Sequence, residues 1–135
     1  MKSPSNIMLI DDDEIFTYII KKIIEESEIS EQITIFNNGR DAINYLTEAA
    51  EEEALLPKVI FLDLNMPLLD GWGFLDEYIR LKPKMCKKIN LYVITSSVST
   101  YDHEKSKEYS DITDFIVKPL AKEKFISIVK KMSNG

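Results

Sequence analysis

Five short apolar runs constrain this chain more than anything else in it: "IMLI" (7–10), "ITIF" (33–36), "VIFL" (59–62), "LYVI" (91–94) and "FIV" (115–117). Each is rich in branched or aromatic residues, and each is too short for a helix. None alternates strictly between apolar and polar. Such runs suit strands covered on both faces, as in a parallel sheet. Between them, apolar residues recur at helical spacing. Ile15, Phe16, Ile19, Ile20, Ile23 and Ile24 make one stripe, and Ala42, Ile43, Leu46, Ala49 and Ala50 a second. Phe74, Leu75, Tyr78 and Ile79 make a third, and Phe125, Ile128, Val129 and Met132 close the chain. The segment "YDHEKSKEYS" (101–110) has few apolar anchors and predicts a short or movable helix. The acidic run "EAAEEEALLP" (48–57) predicts a long second helix followed by a loop, with its charges on a solvated face.

Strand then helix, five times over, means βαβ units with right-handed crossovers and an α/β fold. At 135 residues the chain has the size of one domain with a real core. A net charge of −6 argues against a broad nucleic-acid surface, which needs clustered Lys and Arg. Lys82, Lys84, Lys87 and Lys88 form one loose basic cluster, read as a solvated loop. No apolar run is long enough to cross a bilayer, and the first residues do not resemble a signal peptide. Cys86 is the single cysteine, so no internal disulfide framework exists. The cytoplasm is the expected compartment.

In an open parallel sheet, ligands bind beyond the carboxyl ends of the strands. The residues just past each run are therefore informative. Asp11, Asp12 and Asp13 come after the first, Asp63 after the third, Thr95, Ser96 and Ser97 after the fourth, and Lys118-Pro119 after the fifth. The second run leads only to "NNGRD", a turn with Asn38 as helix cap, which marks an edge strand. Asp13 and Asp70 stand just before helical stripes and read as N-caps. Capping leaves Asp63, and at least one of Asp11 and Asp12, unexplained. Three carboxylates at one sheet edge repel, and their pKa values rise. A divalent cation with oxygen ligands removes that cost, and Mg²⁺ fits. Without a His or Cys cluster, Zn²⁺ and Cu²⁺ do not. His103 stands alone and reads as surface. A carboxylate beside Mg²⁺ can attack a phosphoryl group, with Lys118 supplying positive charge and Thr95 a hydroxyl donor.

These motifs, "LIDDD", "FLDLNMPLLDGW", "VITSS" and "FIVKPL", resemble those of the CheY-like receiver domains of bacterial response regulators. The resemblance covers nearly the whole chain. It implies a (βα)5 flavodoxin-like, doubly wound sheet of five parallel strands in the order 2-1-3-4-5, as a single stand-alone domain over 1–135 with no output domain. It implies Asp63 as the phosphoacceptor. Asp11 and Asp12 become the acidic pair for Mg²⁺, with Asp12 preferred as direct ligand. Asn65 offers its backbone carbonyl to the metal. Thr95 and Phe115 become the switch pair, Lys118 the phosphate-facing lysine, and the Lys118-Pro119 bond is expected to be cis. Asn65 and Ser97 occupy positions that tune phosphate lifetime, and the small Ser96 leaves room for a donor. Phe115 stands where the family often has Tyr. Lacking a hydroxyl, it is expected to favour an inward rotamer. Ser110 stands where a smaller residue is common.

The resulting expectation is a phosphoryl-accepting switch of a two-component system. A sensor histidine kinase or phosphotransfer protein would phosphorylate it, and it would signal to a separate protein, with no direct nucleic-acid or membrane partner. A phosphorelay intermediate and a phosphorylation-independent binding module of the same fold are the alternatives. An aspartyl-nucleophile phosphatase is disfavoured, since it needs a second acid where Asn65 stands. Self-catalysed phosphorylation and dephosphorylation are expected, without turnover of an external substrate.

Overall fold

The computed structural model describes residues 6–27, 32–96 and 99–133. Five strands, β1 (Asn6–Ile10), β2 (Gln32–Phe36), β3 (Val59–Leu62), β4 (Asn90–Thr95) and β5 (Ile112–Val117), alternate with five helices. These are α1 (Glu14–Glu26), α2 (Gly39–Ala49), α3 (Gly71–Leu81), α4 (Thr100–Ser106) and α5 (Lys122–Ser133). All pairings are parallel, in the order β2-β1-β3-β4-β5. This is the flavodoxin-like order, and it reverses direction between β1 and β3. The crevice left there is where such sheets bind ligands.

The apolar strand runs are explained by burial on both faces. Met8, Ile10, Ile60, Leu62, Leu91 and Val93 pack against Ala42, Ile43 and Leu46 of α2 and Phe74, Leu75 and Tyr78 of α3. Their alternate neighbours Ile7, Leu9, Val59, Phe61, Tyr92 and Ile94 pack against Phe16, Ile20, Ile23 and Ile24 of α1 and Phe125, Ile128 and Val129 of α5. All four residues of β3 are buried. The edge strand β2 is only half-covered.

Three sequence expectations need adjustment. The helix α2 stops at Ala49, so most of the acidic run is turn. A short 3-10 turn, Glu53–Leu55, leads to Leu56, which is buried and draws the chain back to the sheet. The stripe of α1 is narrower than its apolar residues suggest, because Ile15 is 75% and Ile19 46% exposed. The fifth strand begins at Ile112, and only Ile116 of it is buried. Met132 and Ser97 lie outside the residues whose side chains are described.

Helix starts obey their caps. Asp13 accepts from the backbone N–H groups of Ile15 and Phe16, Asn38 from Asp41, and Asp70 from Gly73. The loop between β3 and α3 carries a backbone anomaly. Leu68 has φ of 67°, a left-handed conformation that a Cβ disfavours, and its side chain is 81% exposed. Leu68→Gly is therefore expected to raise the unfolding free energy by about 0.5–1 kcal/mol, measured by urea denaturation.

Candidate functional site

The ends of β1 and β3 place their acids side by side. Asp63 comes just after β3 and its N–H donates to the carbonyl of Ile10 at 2.9 Å, while the Asp11 N–H donates to Phe36 O at 2.9 Å. The backbone ladder thus continues one residue into the site and holds both carboxylates on a rigid frame. Asp11 and Asp63 are buried, at 1% and 6% exposure, whereas Asp12 faces solvent. Oxygen atoms of Asp11, Asp12 and Asp63 all lie within 4.8 Å of one another. A cleft of about 360 Å³ opens beside them, lined by Asp11, Asp12, Glu14, Thr17, Asn38 and Leu68 among others.

Lys118, just past β5, joins the cluster. Its Nζ lies 2.8 Å from Asp11 Oδ2 and 3.7 Å from Asp13 Oδ2. The same ammonium sits 4.5 Å from the centroid of the Phe16 ring. The Lys118 N–H donates to the Thr95 carbonyl at 2.7 Å, which ties the ends of β4 and β5 together. The Lys118-Pro119 bond is cis. Thr95 is fully buried at the end of β4.

Burial and the neighbouring Asp11 charge push the Asp63 carboxyl up from 3.8 to about 7, against the opposing pull of Lys118 and the Asn65 N–H. That N–H points at Asp63 Oδ1 from 3.5 Å, a long contact. Asp11 Oδ2 meets Lys118 as an ion pair without an aligned hydrogen bond. Carboxylate oxygens, like charges and one imperfectly satisfied buried acceptor together suit a hard divalent cation.

The other expected residues lie further out. Ser96 is exposed, and so is the Asn65 side chain. Phe115 is half-buried against the core, opposite Val93 in register, with its ring edge-on to His103 at 5.5 Å. His103 is exposed as anticipated, but it is not isolated. Two contributors were hidden in the sequence. Asp13 caps α1 and also faces Lys118. Gly71 reads as a helix-start glycine, yet its N–H donates to Leu64 O at 2.9 Å, and a Cβ there would meet Asp63 O and Leu64 Cα at 2.7 Å. Only a residue without a side chain lets α3 press against the backbone of the acid.

The sequence profile of the response regulator receiver domain matches residues 7–130. The chain belongs to the response regulator receiver family. The fold agrees. A two-component response regulator from Cytophaga hutchinsonii superposes with a TM-score of 0.82 at 27% identity, covering 99% of this chain and 100% of that one. Response regulator Rcp1 of Synechocystis sp. is 32% identical over 95 residues, 70% of this chain and 63% of that protein. Its Mn²⁺-bound form superposes with a TM-score of 0.74 at 26% identity, covering 97% of this receiver and 93% of that chain. A protein-glutamate methylesterase/protein-glutamine glutaminase of Caldanaerobacter subterraneus subsp. tengcongensis is 32% identical over 121 residues. The receiver spans 88% of its own length in that match but only 30% of the methylesterase. No helix among the described residues is long and apolar enough to cross a membrane.

The receiver's geometry has two measurable consequences. The Asp63 pKa is higher folded than unfolded, so the protonated form stabilises the fold. That stability is complete below the unfolded value of 3.8 and is lost as pH rises through about 7. Metal-free Asp63→Asn should therefore melt higher than wild type at pH 8 and about equally at pH 4. The expected gain is about 1–2 kcal/mol after solvent screening, or a few degrees by calorimetry. Gly71→Ala should cost about 1–3 kcal/mol by overpacking, read as a lower denaturation midpoint.

Proposed function

We propose that this receiver is a phosphoryl-accepting switch, phosphorylated on Asp63 in a Mg²⁺-dependent reaction. The observation that carries the reading is the buried Asp63 carboxylate facing Asp11 and Asp12, with Lys118 paired to Asp11. Asp11, Asp12 and Asp63 would hold the ion, with the Asn65 carbonyl as a further candidate ligand. Bound Mg²⁺ supplies positive charge against the carboxylates and the incoming phosphoryl oxygens.

Asp63 then acts as nucleophile. One of its oxygens forms a bond to phosphorus as the bond to the donor's leaving group breaks. The ladder contact to Ile10 holds that oxygen source in place. Lys118, now paired with Asp11, is within reach to pair with a phosphoryl oxygen instead. Thr95, tied to Lys118 through the backbone, is the hydroxyl we assign to the phosphoryl group, and Phe115 the aromatic that moves with it. Asn65, Ser96 and Ser97 are the positions proposed to tune access and lifetime.

The donor is proposed to be a sensor histidine kinase or phosphotransfer protein in the cytoplasm. Ile15, Tyr18 and Ile19 lie on one exposed face of α1, and Leu68 stands exposed at the cleft. Such an apolar rim around an acidic site suits a protein donor better than a small ion. The output is proposed to be a separate protein partner.

The test is direct. Acetyl phosphate with Mg²⁺ should add one phosphoryl group by intact mass, mapped to Asp63. EDTA should abolish it, and Asp12→Asn should raise the Mg²⁺ concentration required by roughly tenfold or more. A wild-type protein that gains no mass, or an Asp63→Asn protein that gains it equally, would sink the proposal.

A further inference from the structure

The helix α4 has no apolar anchor. Of its residues only Ser106 is buried, and its sequence is "TYDHEKS". A helix of this length does not stand alone in water. Besides its packing on β5, where His103 meets Phe115, it is held by a cluster reaching across from α3 and centred on Trp72, the chain's one tryptophan. The Trp72 indole Nε1 donates to Asp102 Oδ1 at 3.2 Å, in the first turn of α4. Lys105 of α4 places its ammonium 5.0 Å from the Trp72 ring centroid and 5.7 Å from that of Tyr101. Tyr109, just past α4, packs its ring on Trp72 at 5.4 Å and donates its hydroxyl to Asp76 of α3 at 2.9 Å. These contacts are polar or aromatic and only partly buried, with Trp72 and Tyr109 resting on the edge of the core.

Trp72 is also the residue after Gly71. The Gly71 position presses on the backbone of Asp63 and Leu64 with no room for a Cβ. A displacement of the Asp63 loop toward α3 would press directly on the helix start and, through it, on the indole that contacts α4. This route is separate from the one through Thr95 and β5, where Phe115 meets His103.

We propose that Trp72 is a positioning residue that holds α4 in its resting place and couples that place to the occupancy of Asp63. The inference rests on the proposed phosphorylation of Asp63 and adds to it a second handle on α4. Coupling of this kind is reciprocal. If occupancy of the site loosens the clamp, loosening the clamp must favour occupancy, although the Trp72 indole bonds to Asp102 and not to an acid of the site.

The experiment uses Trp72→Phe, which keeps a ring but loses the indole N–H and weakens the cation–π contact. Two measurements are made on the full chain with Mg²⁺: amide exchange of residues 100–106, and the affinity for beryllofluoride, a mimic of the phosphoryl group. The expected result is faster exchange in the resting variant and beryllofluoride binding about fivefold tighter than wild type. A purely structural tryptophan would speed exchange but leave that affinity unchanged, and this outcome overturns the coupling. Unchanged exchange overturns the clamp itself. Tyr109→Phe, which loses only the bond to Asp76, should shift both readouts less and in the same direction, and serves if Trp72→Phe does not fold. Phosphoryl mass from acetyl phosphate is measured in parallel. Its absence in wild type overturns the reading of the site and the inference with it, whereas a normal adduct with unchanged affinity overturns the inference alone.

Discussion

The structure depends on one unresolved conflict of charge. Two buried carboxylates, Asp11 and Asp63, face each other at the sheet's switch point with Asp12 beside them, and Lys118 is the cation the fold brings to that cluster. Left to themselves, like charges in a poorly solvated place would separate or neutralise. Separation is prevented by the sheet, since the ladder runs through Ile10 into Asp63 and through Phe36 into Asp11. Neutralisation is what remains, and the raised Asp63 pKa records it. A stable fold would not retain such a cluster for its own sake. Replacing the acids by amides would ease the repulsion and remove the proposed chemistry.

A charged site of this kind transmits its state only if something nearby is loosely held. The two halves of the molecule differ in that respect. β1, β3 and β4 are buried on both faces and leave no alternative packing. The helix α4 is held by an indole hydrogen bond, a lysine over rings and the edge of His103 on Phe115. Interactions of this class are each worth on the order of 1 kcal/mol. A change of charge at Asp63 is large on that scale and small on the scale of the core. On the proposed function, α4 is thus the element that can shift without unfolding the sheet.

Much of this is legible in the chain because strands carry their information locally. A run such as "VIFL" announces two-sided burial, and the residue after it must emerge at the sheet edge. Asp11, Asp63, Thr95 and Lys118 are all found in that way. The cap residues Asp13, Asn38 and Asp70 are legible for the same reason, since a cap acts within three residues of itself. Contacts between elements are not legible. Nothing in "DGW" distinguishes a glycine that starts a helix from one that must admit the backbone of an acid. Asp13 looks like a cap and also faces Lys118, 105 positions later in the chain. Ile15 and Ile19 fit a helical stripe but face outward, because periodicity gives the direction of a face and not the width of the surface that covers it.

The segment "YDHEKSKEYS" shows where pattern reading ends and physical reasoning has to continue. Its lack of apolar anchors implies a short or movable helix, and the helix there runs only from Thr100 to Ser106. The partner is Trp72, thirty residues upstream of Asp102, in the same loop-to-helix passage that leads away from the phosphoacceptor candidate. Aromatic residues at helix starts are common and usually fill a core. This one is half-buried and spends its N–H on another helix. A sequence that omits apolar anchors from one helix must hold that helix by longer reach, and the side chains able to do so are few. Trp, Tyr and Lys combine length with a polar tip. All three occur in this cluster, beside the loop that leads from Asp63 into α3.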